Sequence, residues 1–187
     1  MRTSILHLFA STVLLSGPFA DAMMVTQGEL SEARQWSAAK FEGAQARPPV
    51  EPALVVLANH DPVQKNSRHA RPMLLAGQAH TRGLYCHAPS KIIVRLPGPG
   101  ASFNAVVGVD SNEQTSGGRG SVDFSVSVGG AEKFRSGVVR EGMPVKSVAV
   151  NLGGATEFIL QIEETPDGIS CDQADWAEAK VTLTDGR

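Results

Sequence analysis

Three short segments of this sequence combine polar side chains with turn residues, and they carry its potential for chemistry. In order they contribute Tyr85 and His87, then Asp110 and Glu113, then Asp172 and Gln173. Carboxylates and amides can accept or donate paired hydrogen bonds, and a histidine ring can do either. Such groups suit a polyhydroxylated ligand such as a sugar, and Tyr85, the only tyrosine, could supply an exposed ring against its C–H face.

Several residues in these segments also have a structural interpretation. His87 could hydrogen-bond a backbone carbonyl and fix its loop. The loop aspartates, Asp110, Asp172 and Asp175, could cap turns or hold a structural calcium ion, and a structural role is favoured for Asp175 because it precedes a strand. Trp176 begins that strand and is expected in the core rather than stacked on a ligand.

Catalysis is not expected from these residues, and no cofactor is predicted. Asp172 and Asp175 are three residues apart in a turn, with no apolar pocket to raise the pKa of one of them for glycoside hydrolysis. Cys86 and His87 are adjacent, so on an extended chain they point to opposite faces. Cys86, His87 and Cys171 lack a fourth ligand and the usual spacing of a zinc site.

The N-terminus has the layout of a secretory signal. Arg2 precedes an apolar run over 5–15, and Ala20 and Ala22 place small residues at a cleavage site. The run is too short to span a bilayer. We therefore predict a signal peptide over 1–22 and a secreted or periplasmic mature chain without membrane insertion.

A leader is predicted over 23–52. It includes a weak helix over 30–41 that Ser31 can cap, followed by a proline-rich linker over 47–52. The net charge of the full chain is −2, and its basic residues are scattered singly. Nucleic acid is therefore not an expected partner.

From residue 53 onward the sequence alternates with a period of two. The clearest runs are 92–96, 121–128, 157–163 and 177–184, separated by glycine clusters such as Gly117-Gly118 and Gly129-Gly130. Short alternating strands with glycine turns and no helix between them predict an all-β, antiparallel β-sandwich over 53–187.

Four sequence blocks in this region resemble the NPCBM domain, also called carbohydrate-binding module family 51. They are GLYCHAPSKI, AVVGVDSNE, FRSGVV and DGISCDQADWAEAKV, and their order and spacing match across roughly 53–183. The family often has histidine where Gln173 stands, and commonly glycine and a small or apolar residue at positions 85 and 86.

The resemblance implies a jelly-roll-like, galactose-binding-domain-like β-sandwich that binds terminal galactose-type sugars and is appended to glycoside hydrolases. A galactoside-type glycan is thus the expected ligand, and a glycoside hydrolase is the expected partner. The carbohydrate site is expected at one loop-lined end, built from Tyr85, His87, Asp110, Glu113, Asp172 and Gln173. The alternative is a structural or protein-interaction sandwich without sugar binding.

A disulfide between Cys86 and Cys171 is also expected. These are the only two cysteines of a chain predicted to be exported, and export favours pairing. The resemblance implies that their two segments lie close together. Two buried free thiols are the alternative.

Overall fold

The structure is a computed structural model that describes residues 32–34, 36, 37 and 51–187. The chain divides into two compact units, Met1–Arg47 and Pro48–Arg187. Residues 32–34, 36 and 37 of the first unit are helical and fall inside the helix predicted over 30–41. The predicted signal peptide and most of the leader lie outside the described residues. Among the described residues, no helix has the length and apolar character needed to cross a membrane.

Residues 51–187 form β-strands joined by turns and loops. The strands are β1 Ala53–Ala58, β2 Gln64–Lys65, β3 Met73–Leu75, β4 Gln78–His80, β5 Gly83–His87, β6 Ser90–Arg95, β7 Gly100–Val109, β8 Ser121–Val128, β9 Ala131–Arg140, β10 Lys146–Asn151, β11 Glu157–Glu164 and β12 Gln173–Leu183.

Two five-stranded antiparallel sheets account for ten of these strands. The first sheet has the order β1-β6-β11-β8-β9, and the second has the order β10-β7-β12-β5-β2. The remaining two strands, β3 and β4, form a separate hairpin. Neighbours within each sheet come from distant parts of the sequence, so most of the pairing is non-local. This architecture confirms the predicted antiparallel β-sandwich.

The core lies between the two sheets and follows the alternation of the strands. In β8, Val122, Phe124 and Val126 are fully buried in the core. In β12, Trp176 is fully buried, with its ring centroid 5.1 Å from that of Phe124 in an edge-to-face arrangement. Trp176 is therefore a core residue, as expected.

The β3–β4 hairpin has its own buried apolar residues, separate from the core between the sheets. Met73 and Leu75 are almost completely buried. Leu75 packs against Gly108 of β7 so closely that a Cβ on this glycine would lie 3.1 Å from Leu75 Cδ2. The hairpin therefore covers part of the outer face of the second sheet, a face that would otherwise be open to solvent.

Candidate functional site

The register of three neighbouring strands brings the predicted site segments together. Gln173 of β12 is opposite His87 of β5, and two residues further on Asp175 is opposite Tyr85. On the other side of β12, the backbone N–H of Asp110 donates to the carbonyl of Gln173 at 2.9 Å. The residues that alternate with these along the strands belong to the core. Because successive side chains of a strand point to opposite faces, the side chains of Gln173, His87, Asp175, Tyr85 and Asp110 lie on the outer face of the second sheet.

A buried arginine that the sequence analysis did not identify joins these side chains. Arg68 is 6 % exposed. Its Nε donates to Gln173 Oε1 at 3.3 Å and lies 3.5 Å from Asp110 Oδ1, while Nη2 donates to Glu113 Oε1 at 3.3 Å. Its guanidinium carbon lies 6.0 Å from the centre of the Tyr85 ring. Charge-assisted bonds of this kind fix the geometry of several loops at once.

Asn112 completes what we call the Arg68 cluster, which consists of Arg68, Asp110, Asn112, Glu113 and Gln173. Asn112 Nδ2 donates at 2.8 Å both to Asp110 Oδ1 and to Gln173 Oε1. Its Oδ1 accepts from the backbone N–H of Gln114 at 2.9 Å, which closes the turn after β7. The sequence places a short amide here because it can satisfy its own turn and reach a neighbouring strand.

The electrostatics of the cluster follow from burial and pairing. Burial is the largest single effect on Arg68 and lowers its pKa, but the hydrogen bonds to Glu113 and Tyr85 and the charges of Asp110 and Glu113 together outweigh it, so the pKa is raised overall. The pKa of the exposed Glu113 is lowered by a backbone hydrogen bond and by Arg68. Burial raises the pKa of Tyr85 to about 12, against the opposing effect of Arg68. The cluster therefore holds a fixed cation between carboxylates and presents Glu113 to solvent.

The prediction that Tyr85 offers an exposed ring is wrong. Tyr85 is 1 % exposed, and the ring of His69 lies edge-on at 5.9 Å. The segment from Gly83 to His87 forms strand β5 rather than a loop, so Tyr85 faces the covered outer side of the second sheet. Its ring supports Arg68 instead of standing free for a ligand.

His87 and Asp172 do not join the Arg68 cluster. His87 Nδ1 donates to the carbonyl of Ala88 at 2.9 Å, and its ring centroid lies 4.6 Å from that of His60. Asp172 is fully buried, and its Oδ1 accepts from the backbone N–H of Ser121 at 2.8 Å. Both observations fit the structural interpretations of these residues.

The structure thus gathers four of the six predicted site residues, Tyr85, Asp110, Glu113 and Gln173, around Arg68. Arg68 carries no clear signal in the sequence because it lies outside any alternating run. Its backbone exchanges two hydrogen bonds with Arg71, at 2.8 and 2.9 Å, and the nearby residues His69 and Ala70 have positive φ angles. This irregular turn directs the arginine inward.

The predicted disulfide is absent, and both cysteines of residues 51–187 are free. Cys86 of β5 is opposite Ala174 of β12, whereas Cys171 lies in the turn that precedes β12 and has a φ of 66°. The Cys86 thiol instead lies in the core, where burial raises its pKa to about 12.

A metal site was left open by the sequence. Within residues 32–34, 36, 37 and 51–187, no group of three or more histidine, cysteine, aspartate or glutamate residues is arranged to hold a metal ion.

Asp175 lies beneath the cluster as a buried carboxyl group. Neither of its oxygens makes a hydrogen bond among the described residues. Burial, and secondly the nearby Asp110, raise its pKa well above the usual value. Because a buried carboxylate without a hydrogen-bonding partner is costly, the folded protein favours the neutral form of Asp175.

This predicts a pH dependence of stability. The folded protein holds the Asp175 proton more tightly than the unfolded chain does, so its stabilising effect is complete below the unfolded pKa of about 4 and is lost as pH rises through the folded pKa. We expect Asp175→Asn to gain stability relative to the native chain as pH rises from 4, measured by urea unfolding at several pH values.

Asp167 provides the control with the opposite sign. Hydrogen bonds from Thr165 and Ser121 lower its pKa to about 2, so its contribution is present above pH 4 and lost as pH falls toward 2. Asp167→Asn should therefore lose stability relative to the native chain as pH rises from 2 to 4. A difference between Asp175→Asn and the native chain that is constant from pH 4 to 9 would contradict the buried neutral carboxyl.

The fold and the polar cluster on its outer face define a β-sandwich domain of the kind used for ligand binding. Residues 54–182 match the NPCBM/NEW2 domain, and the chain belongs to that family.

Two solved structures from Clostridium perfringens share this fold. One is the CBM51 module of a GH95 enzyme in complex with methyl-galactose, with a TM-score of 0.62, 25 % identity, and coverage of 68 % of this chain and 92 % of that chain. The other contains the M60 catalytic domain with two CBM51 domains of ZmpB, with a TM-score of 0.62, 30 % identity, and coverage of 72 % of this chain and 14 % of that chain.

A curated relative is the "Putative endo-alpha-N-acetylgalactosaminidase" of Renibacterium salmoninarum, which is 29 % identical over 109 residues. The alignment covers 58 % of this chain and 7 % of the relative. The chain thus corresponds to a small part of that much longer protein.

Proposed function

We propose that this chain is a secreted, non-catalytic carbohydrate-binding module that recognises a terminal galactose-type sugar. The observation that carries the proposal is the Arg68 cluster, in which a buried cation, carboxylates and amides converge at one end of the sandwich. Family membership and the methyl-galactose complex of a structural relative support it.

The chemistry of the cluster suits sugar hydroxyls. Glu113 is largely exposed and can accept hydrogen bonds from two adjacent hydroxyls, while its bond to Arg68 holds its carboxylate in place. The exposed side chains of Arg71 and His69 border the same turn, where Arg71 can donate hydrogen bonds and His69 can donate or accept them. Buried groups that hold one exposed carboxylate in place reduce the entropy lost on binding.

We further propose that the module works with a glycoside hydrolase, as a separate chain or as part of the same protein. The CBM51 module of a GH95 enzyme and the CBM51 modules of a family 98 glycoside hydrolase support this. The module would then keep the enzyme near galactose-bearing glycans, and it would hydrolyse no glycoside itself.

Calorimetry with galactose, lactose and N-acetylglucosamine tests the function. For a shallow site we expect galactose to bind with a dissociation constant on the order of 0.01–1 mM. Glu113→Ala should raise this dissociation constant at least about tenfold, since a hydrogen bond to a charged group contributes roughly 1.5–3 kcal/mol.

Glu132→Ala is the matched control. Glu132 is an exposed carboxylate bonded to an arginine, Arg135, at 2.7 Å, but it lies on β9 of the other sheet. Glu132→Ala should leave the affinity for galactose unchanged.

If no glycan binds, the alternative of a structural or protein-interaction sandwich is favoured. If Glu113→Ala binds galactose as tightly as the native chain does, the sugar site lies elsewhere. Cleavage of aryl galactosides by the purified chain would contradict the non-catalytic role.

A further inference from the structure

A cleft of about 270 Å³ opens into the sandwich away from the Arg68 cluster. Leu54 and Val94 of the first sheet form one wall, and Phe103 and Val181 of the second sheet form the other. These residues are continuous with the apolar core, in which Phe103 and Phe158 have ring centroids 5.0 Å apart. The cleft therefore gives solvent access to apolar surface between the two sheets.

The cleft exists because two neighbouring strands differ in length. β5 begins at Gly83, which is opposite Ala177, whereas β12 continues from there to Leu183. Along this last part β12 pairs with β7 alone, after a bulge between Ala177 and Lys180 at which Glu178 has a φ of 51°. The missing neighbour leaves a gap in the second sheet beside β12.

Two lysines line the cleft beside these apolar walls. Lys65 of β2 and Lys180 of β12 are both exposed and both line the cleft. Neither lysine forms an ion pair within residues 51–187. The basic side chains that do form ion pairs with carboxylates there, histidines aside, are all arginines, namely Arg68, Arg95, Arg135, Arg140 and Arg187. An apolar cleft with two unneutralised cations complements a ligand that has an apolar body and one negative charge.

We propose that this cleft binds a medium-chain fatty acid, with the acyl chain between the sheets and the carboxylate at Lys65 and Lys180. The volume lies just below the range of about 300–1,000 Å³ of pockets for drug-sized ligands, which fits a short chain such as octanoate better than a long one. Apart from the two lysines, Asn66 is the polar side chain that lines the cleft, and its Oδ1 already accepts from the backbone N–H of Gly83 at 3.1 Å. This site is separate from the proposed sugar site.

Titration calorimetry with octanoate, octanol and octylammonium tests both parts of the proposal. We expect octanoate to bind saturably below its micellar range and octanol more weakly, because it lacks the charge. Octylammonium should bind weakest, since its charge has the wrong sign. Octanoate affinity should fall as salt concentration rises.

Two kinds of variant test the contribution of the lysine charges separately from that of the apolar cleft. Lys65→Gln combined with Lys180→Gln should weaken octanoate about three- to tenfold, as expected for two partly exposed pairs, and leave octanol unchanged. Lys133→Gln combined with Lys146→Gln, on β9 and β10, is the matched control and should change neither ligand. Ala179→Phe places a ring in the cleft and should abolish binding of both ligands.

Three results would overturn the proposal. They are the absence of saturable octanoate binding by the native chain, equal binding of octylammonium, and full octanoate affinity in the double lysine variant. Galactose should not displace octanoate, and displacement would place the fatty acid in the sugar site instead. A chain that binds octanoate but no glycan would contradict the proposed function alone.

Discussion

Replacing Gly83 with alanine should destabilise the sandwich by roughly 3–5 kcal/mol, in the range reserved for severe single substitutions. A Cβ at this position would lie 2.0 Å from the carbonyl oxygen of Trp176 and 3.0 Å from Ala177 Cα. These are backbone atoms of the central strand β12, so no side chain can rotate away. The φ of +132° adds strain, because residues with a Cβ rarely adopt it.

Gly77→Ala is the matched control for this prediction. Gly77 also has a positive φ, of 82°, but nothing lies within 4 Å of the position that a Cβ would take there. It should therefore show only the conformational penalty, of about 1–2 kcal/mol. Urea unfolding of both variants measures the difference, and equal losses would contradict the close approach of β5 to β12.

Trp176→Ala should cost about 3–5 kcal/mol of unfolding free energy, the usual range for a large aromatic residue deleted from a core. Trp176 is fully buried and its ring contacts Phe103 and Phe124, one from each sheet, at centroid distances of 6.1 and 5.1 Å. Its loss would leave a cavity at the contact between the sheets. Circular dichroism during thermal and chemical unfolding would measure this loss of stability.

Leu57→Ala provides the control because Leu57 is 54 % exposed on β1, an edge strand of the first sheet. It should change the free energy of unfolding by less than about 0.5 kcal/mol. If Trp176→Ala were no more destabilising than this surface substitution, the tryptophan could not be the central residue of the core.

The sequence by itself determined the fold class and much of the core. The alternating residues of β8 and β11 predicted strands that the structure confirms, since side-chain period and burial are local properties of an extended chain. The position of Trp176 in a strand indicated burial for the same reason. The segments carrying Asp110, Glu113 and Gln173 were also identifiable, because polar residues interrupt the alternation there.

Only the tertiary structure decided which of these polar groups meet. Tyr85 was expected in an exposed loop, yet it is buried because the chain from β2 to β4 covers the outer face of β5. Arg68 organises the site from an irregular turn that no periodic pattern marks. Cys86 lies in the core opposite Ala174, Cys171 lies in the turn before β12, and the two cysteines are not bonded to each other. Strand pairing over long sequence separations, and the covering of one sheet by a hairpin, depend on contacts between distant residues, which local periodicity does not encode.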